Sequence, residues 1–264
     1  MENPKYTADY SKFDPEAYCS TNFRTIEGPV GQKQMRLFIF DSLQEIYNSG
    51  EISGEMLLDV GTGPTVYNLT SAAPHFSNIY LSDFSEVNRN AVWRWLINDP
   101  QANDSSHFFE YVSGRQKKGT ASSCLEDDLR SRIKGILHCD MTQPNPLFPS
   151  MFPPFDAISS SLCLDVVPSG TLVGYQAAAK NVTSLLRPGG WVVLVGSLGC
   201  NFYRFGNCRY PAIPMTSSNL KQIWTDIGFT IKVWKQYDMT EADMAVNQTS
   251  DSKGMFCMAA KKEN

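Results

Sequence analysis

The chain has 264 residues, of which 42% are hydrophobic and 19% are charged, proportions that are ordinary for a globular protein of one domain. Its net charge of −4 provides no basic surface for nucleic acid or anionic lipid, and no apolar run reaches the roughly 18–20 residues that span a bilayer. The seven cysteines include no C-x-x-C pair and the three histidines are scattered, so neither disulfides nor a metal site is expected. Because the polar N-terminus has no signal-peptide core, the chain is expected to be cytoplasmic.

The first 31 residues are polar and interspersed with aromatic side chains, which predicts a helical segment that packs on the core. These aromatic residues are Tyr6, Tyr10, Phe13, Tyr18 and Phe23. Residues 34–47 place apolar side chains at helical spacing and predict a helix. Gly50 and Gly54 then break the chain before the first strand.

A strand and a glycine turn follow, and the rest of the chain is organised around them. Residues 56–60 form a short apolar run, which is typical of a buried strand in a parallel sheet. Gly61 and Gly63 allow backbone angles that a Cβ would forbid, and they let a ligand approach the main chain. A helix is predicted over residues 67–73, ended by Pro74, and its unpaired N–H groups would face the turn.

Asp83 completes a pattern that predicts nucleoside binding. It ends a second apolar run, residues 78–82, and follows Gly63 by about 20 residues, the distance expected of a ribose-binding acid in a βαβ unit. Val66 occupies the position of the third glycine of a dinucleotide fingerprint, and Pro64 stands in the turn. These departures disfavour a dehydrogenase and favour S-adenosylmethionine, which has no phosphate. A plain turn without a ligand is the alternative.

The remaining segments alternate between helices and strands. Further helices are predicted over residues 85–98, 125–134, 171–186 and 217–227, the last with a serine cap. Further strands are predicted over residues 135–140, 155–162, 191–195, 229–237 and 254–260. Residues 100–123 and the proline-rich residues 143–154 are predicted to be irregular. Strands that alternate with helices and end in a strand pair predict an α/β fold with a mostly parallel, doubly wound sheet.

Four segments carry a family resemblance, in the order residues 57–67, 82–89, 162–165 and 186–190. The chain resembles the nicotinamide, phenylethanolamine and indolethylamine N-methyltransferases, which use S-adenosylmethionine, from about Phe13 to the C-terminus. The resemblance implies a Rossmann-like, seven-stranded methyltransferase sheet whose last strand is antiparallel, in a single domain over residues 1–264. Within that domain, residues 1–34 would form a helical lid and residues 55–264 the core.

The resemblance also implies a set of cofactor-binding residues. They are Tyr18, Phe23, Gly61, Gly63, Thr65, Tyr67, Asp83, Asn88, Asp140, Met141 and Ser161. Tyr18 matches a tyrosine that hydrogen-bonds the cofactor carboxylate, whereas Phe23 stands at a second tyrosine position, so that hydroxyl is lost. Asp140 and Met141 match residues that meet the adenine. Taken alone, Asp140 at the end of a strand has the cap of a helix or turn as its alternative.

The acceptor site that the resemblance implies includes one candidate catalytic residue, Asp165. Its residues are Asp165, Ser197, Cys200, Tyr203, Ala212 and Asp251. Methyl transfer to nitrogen is a direct in-line displacement, so most of these residues would position the reactants. An aliphatic amine is protonated at pH 7 and must first lose a proton, for which Asp165 is the candidate base. The alternative for Asp165 is a helix cap.

Two departures from the family leave the acceptor open. Nicotinamide-directed members carry an aspartate where this chain has Gly196, and phenylethanolamine-directed members carry acids where it has Gly199 and Cys200. The predicted acceptor is therefore a small amine or an aza-aromatic molecule, bound by a monomer. A second hypothesis, motivated by Phe23 and Gly196, is a cofactor-binding protein that has lost catalysis and acts through a protein partner.

Overall fold

The computed structural model describes residues 5–6, 10, 13–115, 121–167 and 169–263. Numbered in chain order, the strands are β1 (Lys5–Tyr6), β2 (Gly54–Val60), β3 (Phe76–Asp83), β4 (Ile133–His138), β5 (Phe155–Ser161), β6 (Leu186–Leu198), β7 (Phe202–Phe205), β8 (Cys208–Pro211), β9 (Phe229–Asp238) and β10 (Gly254–Lys262). The α-helices are α1 (Pro15–Asn22), α2 (Lys33–Tyr47), α3 (Glu86–Leu96), α4 (Ser106–Arg115), α5 (Ser122–Arg132), α6 (Leu172–Thr183), α7 (Ser217–Asp226) and α8 (Glu241–Val246). Within these described ranges, no helix is long and apolar enough to cross a membrane.

Seven strands form the main sheet, in the order β4-β3-β2-β5-β6-β10-β9. Neighbouring strands are parallel except at β10, which runs antiparallel to both β6 and β9. The chain proceeds outward from β2 through β3 and β4, and then in the opposite direction through β5 and β6. This reversal opens a crevice at the carboxyl ends of the central strands. The doubly wound, seven-stranded sheet with an antiparallel last strand is therefore confirmed.

Helices cover both faces of the sheet, because successive strand residues point to opposite faces. Val193 of β6 packs in the layer that contains α2, α4 and α5, and its neighbour Val192 packs in the layer that contains α6 and α7. Tyr47 of α2 and Trp224 of α7 are fully buried in these two layers. The central strands β2, β5 and β6 are mostly buried on both faces, which explains the apolar run that the sequence shows in β6.

The helix predicted over residues 67–73 is wrong. The segment instead contains two short 3-10 helices, Tyr67–Leu69 and Ala73–His75. Pro74 has no N–H to donate four residues back, and its ring clashes with that carbonyl in an α-helix. The side chain of Asn68 is also held in the core by a 2.7 Å hydrogen bond to Asp59. Both features keep the segment close to β2 in tighter turns.

The irregular loop predicted over residues 100–123 is also wrong, because it contains α4. The side chains that this helix buries are those of Phe108, Phe109 and Val112. The carboxylate of Asp104 accepts the backbone N–H of Ser106 at the start of the helix, at 2.9 Å. The helix is short and its flanks are polar, so it contains too few apolar residues to show a clear helical period in the sequence. Residues 116–120 of the predicted loop lie outside the described residues.

A three-stranded sheet with the order β1-β8-β7 was not predicted. β7 and β8 form an antiparallel hairpin whose turn holds Gly206 at a φ of +53°. β1 pairs in parallel with β8, so the N-terminal segment is joined to this hairpin. The predicted N-terminal helical segment is confirmed by α1, whose Asp14 carboxylate accepts the N–H of Ala17 at 2.9 Å. Parts of that segment lie outside the described residues, namely residues 1–4, 7–9 and 11–12.

Three further details differ from the predictions. Thr216, not a serine, caps α7, and its hydroxyl accepts the N–H of Asn219 at 3.2 Å in a capping box. β6 begins at Leu186, so residues 187–190 lie within the strand instead of closing the preceding helix. The short helix α8 falls in a segment for which no helix was predicted.

Candidate functional site

A cavity of about 600 Å³ opens at the carboxyl ends of the central strands, and the N-terminal segment contributes to its wall. Almost all of the predicted site residues line it: Tyr18, Phe23, Gly61, Gly63, Thr65, Tyr67, Asp83, Asn88, Asp140, Met141, Ser161, Asp165, Ser197, Cys200, Tyr203 and Ala212. Of the predicted site residues, Asp251 alone does not. Residues that are far apart in the sequence therefore line one cavity.

The turn after β2 requires glycine at two positions for different reasons. Gly61 has a φ of +70°, and a Cβ on it would lie 2.5 Å from Cβ of Cys163 and still closer to its Sγ. Gly63 has a φ of +64°, and a Cβ there would meet nothing within 4 Å, because it faces the open cavity. Gly61 therefore permits close packing inside the protein, and Gly63 leaves space for a ligand.

A buried carboxylate beneath this turn was not predicted. Asp59 accepts hydrogen bonds from Oγ1 of Thr62 at 2.6 Å and from Nδ2 of Asn68 at 2.7 Å. Complete burial raises the pKa of Asp59 to about 6, although these hydrogen bonds oppose the increase. Asp59 thus joins the turn to the segment that follows it. A charged residue inside an apolar strand is the signal that could have identified it.

Asp83 lies at the end of β3 and binds the glycine turn directly. Its Oδ2 accepts the N–H of Gly63 at 2.8 Å, and its Oδ1 accepts the N–H of Ser85 at 2.8 Å and Nδ2 of Asn88 at 3.2 Å. Burial raises the pKa of Asp83, and these hydrogen bonds oppose the increase. These donors occupy three of the roughly four acceptor positions of the carboxylate, and the position left on Oδ2 can accept a hydroxyl group presented in the cavity.

Aromatic side chains form the wall opposite Asp83. The hydroxyls of Tyr67 and Ser161 are hydrogen-bonded at 2.5 Å, and the Tyr67 ring stacks on Phe23 with centroids 4.9 Å apart. Tyr18 packs against the other side of Phe23, at 5.3 Å. Burial raises the pKa of Tyr67 to about 12 and also raises that of Tyr18, so both hydroxyls remain protonated at neutral pH and can donate.

Asp140 follows β4 and both caps a turn and lines the cavity. Its Oδ1 accepts the N–H and the hydroxyl of Thr142, at 3.0 and 2.6 Å, and its Oδ2 accepts Nε2 of Gln143 at 3.2 Å. Partial burial alone would raise the pKa of Asp140, but these hydrogen bonds outweigh it and lower the pKa. Met141 lines the same end of the cavity.

Asp165 lies in the short 3-10 helix Leu164–Val166 and is only 5% exposed. Its Oδ2 accepts the hydroxyl of Ser197 at 2.6 Å and the N–H of Ser197 at 3.3 Å. The alternative role as a helix cap is therefore wrong, because the carboxylate binds β6. Burial raises the pKa of Asp165 even though the bonds from Ser197 oppose the increase. None of the described cationic side chains forms an ion pair with it.

The space beside Asp165 has aromatic walls. Tyr10 and Tyr203 line the cavity with their hydroxyls 3.2 Å apart, and Phe13 packs beside Tyr10. Burial raises the pKa of Tyr203, so this hydroxyl is neutral. Cys200 also lines the cavity, and its thiol bonds to the carbonyl of Phe202 at 3.1 Å. This end of the cavity can accommodate a flat, apolar ring.

Asp251 occupies a different environment from the one predicted. Its Oδ1 accepts the N–H groups of Asn201 and Phe202, at 2.8 and 3.2 Å, and its Oδ2 accepts Nδ2 of Asn201 at 2.9 Å. These bonds outweigh partial burial and lower the pKa of Asp251. It anchors the loop before β7, and its neighbours Ser250 and Ser252 line the cavity instead.

Gly196 lies inside β6 and points away from the large cavity. A Cβ on it would lie 2.5 Å from the ring of Phe256, in the layer that contains α6 and α7. An acidic side chain at this position would therefore displace core residues. Its neighbour Ser197 faces the cavity.

Arg36 of α2 lines the cavity and was not predicted to do so. It lies on the helix stripe shared by the buried residues Phe40, Leu43 and Tyr47, which is the signal that could have identified it. The structure brings no cluster of metal-ligating side chains together among the residues it describes.

Comparison with known proteins places this geometry in a family. The sequence model of the NNMT/PNMT/TEMT family matches residues 4–263. Human phenylethanolamine N-methyltransferase is 35% identical over 264 residues, covering 96% of this chain and 90% of that protein. The chain belongs to the NNMT/PNMT/TEMT family. Human nicotinamide N-methyltransferase is 30% identical to this family member, covering 96% of this chain and 94% of that protein. Rabbit indolethylamine N-methyltransferase is also 30% identical, with 85% of both chains covered.

Solved structures share the fold of this family member. A methyltransferase from Methanosarcina mazei matches with a TM-score of 0.55 at 15% identity, covering 83% of this chain and 97% of that one. The N-methyltransferase NodS from Bradyrhizobium japonicum, solved with S-adenosylhomocysteine, matches with a TM-score of 0.51 at 14% identity, covering 97% and 95%. At these identities the likeness concerns the fold alone.

The protein is an S-adenosylmethionine-dependent N-methyltransferase. Its cofactor supplies an electrophilic methyl group carried on a sulfonium sulfur. The cavity fits this molecule, because Gly63 leaves open space beside the carboxylate of Asp83 and neutral tyrosine hydroxyls line the opposite wall. The identity of the methyl acceptor is inferred from the surroundings of Asp165.

Proposed function

We propose that the protein methylates the nitrogen of a small arylalkylamine, and that Asp165 binds the ammonium group and accepts its proton. The observation that supports this proposal is a cavity-lining carboxylate that is 5% exposed and forms no ion pair with the described residues. A buried carboxylate without a cationic partner is unfavourable unless a ligand supplies the cation. An ammonium group is that ligand, and the aromatic side chains beside Asp165 suit an aryl ring.

Burial also favours the proton transfer. The pKa of Asp165 is raised by desolvation, and the same apolar surroundings would lower the pKa of a bound ammonium. Both shifts favour a neutral amine next to a neutral carboxylic acid. The nitrogen then has the free electron pair that direct displacement requires. The hydrogen bonds from Ser197 hold the carboxylate in place during this exchange.

The proposed arrangement places the two reactants side by side in the cavity. Asp83 would bind the ribose, with Asn88, Asp140 and Met141 around the adenine. Thr65, Tyr67, Ser161, Tyr18 and Phe23 would surround the methionine end of the cofactor. Ser197, Cys200, Tyr203 and Ala212 would line the acceptor space. Holding nitrogen, methyl carbon and sulfur in line contributes most of the catalysis, since well-oriented reactants gain roughly 7–11 kcal/mol.

The N-terminal segment, residues 1–34, is part of this proposal as a lid over the single domain. The thiol of Cys19 bonds to the carbonyl of Pro64 at 3.8 Å, and the hydroxyl of Ser85 bonds to the carbonyl of Tyr10 at 3.3 Å. These contacts connect the segment to the glycine turn and to the residues after β3. A segment held in this way can exclude water from the reaction.

An aza-aromatic acceptor is the second candidate, because the human nicotinamide N-methyltransferase is among the relatives. A pyridine nitrogen is already unprotonated at pH 7 and needs no base. The structure favours the amine, since Asp165 would otherwise remain a buried charge without a partner. Gly196, at the acidic position of nicotinamide-directed members, faces Phe256 and not the cavity.

The test measures radiolabelled methyl transfer to matched panels, phenylethylamine, octopamine and tryptamine against nicotinamide and quinoline. Asp165→Asn should reduce amine methylation by about 100-fold or more, because general bases contribute roughly 10²–10⁴-fold. Binding of S-adenosylhomocysteine should be unchanged. The control is Asp226→Asn, the same substitution at an exposed residue outside the cavity lining, which should leave amine turnover within about twofold. Methylation of the pyridines alone, or full amine activity in Asp165→Asn, would refute the proposal.

A further inference from the structure

Arg36 is a buried cation that the fold leaves without an anionic partner. Its side chain lines the cavity and it is only 8% exposed. Its Nε has no hydrogen-bond partner, and no carboxylate among the described residues forms an ion pair with the guanidinium. Removing a charge from water without a partner is strongly unfavourable, so an unpaired guanidinium in a ligand cavity indicates a missing anion.

The surroundings of Arg36 are aromatic and neutral. Its Cζ lies 4.5 Å from the centroid of Phe23, whose other contacts are with Tyr18 and Tyr67. Both tyrosine hydroxyls are protonated because burial raises their pKa values. A cation–π contact with one phenylalanine offsets only part of the desolvation of a guanidinium. This wall of the cavity therefore presents one full positive charge and two neutral donors.

The position of the guanidinium is fixed by the backbone next to it. Gly28 has a φ of +69°, and a Cβ on it would lie 3.1 Å from Cζ of Arg36 and closer to Nε. The absence of that Cβ leaves the space in which the guanidinium lies. Arg204 also lines the cavity, but its Nε donates to the carbonyl of Gln248. Of these two cavity-lining arginines, Arg36 is the one whose Nε has no partner among the described residues.

We propose that Arg36 binds the carboxylate of the methionine end of the cofactor. Phe23 connects Arg36 to Tyr67, which bonds Ser161 at the end of β5, while Asp83 lies at the end of β3. β2 separates these two strands, so the ends of β3 and β5 are about 10 Å apart. That span suits a molecule whose ribose lies at Asp83 and whose amino-acid chain extends across the glycine turn. The proposal concerns cofactor binding and does not depend on the identity of the acceptor.

The experiment compares two ligands that differ only in the carboxylate. Calorimetry measures binding of S-adenosylhomocysteine and of its decarboxylated analogue, 5′-deoxy-5′-(3-aminopropylthio)adenosine, to the wild type and to Arg36→Met. The variant should bind S-adenosylhomocysteine about 10- to 100-fold more weakly and the analogue equally well, since a hydrogen-bonded charge pair is lost only with the first ligand. Arg36→Lys should give an intermediate loss, because lysine keeps the charge without the fork of donors. Arg204→Met is the matched control and should leave the ratio of the two affinities unchanged.

Two outcomes would overturn the proposal. An equal loss for both ligands would mean that Arg36 only supports the wall around Phe23. Unchanged binding of S-adenosylhomocysteine, with a raised KM for the acceptor alone, would mean that Arg36 contacts the acceptor. Thermal unfolding without ligand checks the fold: Arg36→Met should be no less stable than the wild type, because it removes an unpaired buried charge. If this variant does not fold, the affinity ratio in Arg36→Lys decides in the same way.

Discussion

Alanine substitutions at the two glycines of the turn after β2 should differ in their effects on folding stability and on ligand binding. Gly61 and Gly63 both have positive φ, so alanine at either position is strained by roughly 1–2 kcal/mol. At Gly61 the new methyl group would also lie 2.5 Å from Cβ of Cys163, whereas at Gly63 it would meet nothing within 4 Å. Overpacking a core costs about 1–3 kcal/mol more. The expected loss of unfolding free energy is thus about 2–5 kcal/mol for Gly61→Ala and about 1–2 kcal/mol for Gly63→Ala.

Gly63→Ala, which should destabilise the fold less than Gly61→Ala, should nevertheless weaken ligand binding directly. The methyl group of Gly63→Ala would occupy cavity space beside the carboxylate of Asp83, where the proposed ribose site lies. Urea denaturation gives the free energies, and calorimetry gives the affinity for S-adenosylhomocysteine. We expect Gly63→Ala to lose affinity by at least tenfold, which is about 1.4 kcal/mol of binding free energy, while it loses less unfolding free energy than Gly61→Ala. Equal destabilisation by both substitutions, or undiminished binding by Gly63→Ala, would refute this assignment of the two glycines.

Three further predictions concern single side chains. Burial raises the pKa of Asp59 from 3.8 to about 6, so the stabilisation that comes from its protonation is lost as the pH rises through 6. The unfolding free energy of the wild type minus that of Asp59→Asn should therefore fall by about 2 kcal/mol between pH 4 and pH 7 in urea melts. Ser197→Ala removes a hydrogen bond that lowers the pKa of Asp165, so the acidic limb of kcat/KM should move to higher pH in a rate profile. Tyr67→Phe breaks the bond to Ser161 and should weaken S-adenosylhomocysteine binding about five- to tenfold by calorimetry, unless that hydroxyl only stabilises the wall.

The strands themselves were predictable because local patterns mark them, whereas the seven-stranded order was implied by the family resemblance. β6 is buried on both faces and therefore contains a long apolar run, and β2 contains a shorter one. α4 was missed because three buried residues among polar ones provide little period in a ten-residue helix. The pairing of β1 with β8 joins Lys5 to Cys208, and no local sequence pattern records a contact between residues so far apart. Pro74 was expected only to end a helix over residues 67–73, but the segment around it forms 3-10 helices instead of an α-helix.

The sequence spacing predicted Gly61, Gly63 and Asp83, and the family resemblance implied the other site residues, whereas neither identified Asp59 or Arg36. Each of these two is a charged residue among buried apolar neighbours, and its role depends on which partner the tertiary structure supplies. Asp59 receives hydrogen bonds from within the protein, so its role is to hold the turn. Nε of Arg36 donates to no partner among the described residues, so its position supports a ligand at this site. The sequence pattern is similar in both cases, and only the contacts distinguish the roles.

The same reasoning separates two aspartates that were assigned together to the acceptor site. Both oxygens of Asp251 are occupied by donors from Asn201 and Phe202, and the resulting low pKa makes it a poor acceptor of a proton. Asp165 receives its side-chain and backbone donors from Ser197 at Oδ2, is buried more deeply, and has a raised pKa. A carboxylate that must take a proton from an ammonium group needs an environment like that of Asp165, in which burial raises its pKa. The family resemblance makes both residues candidates, but hydrogen bonding and burial support Asp165 as the proposed base.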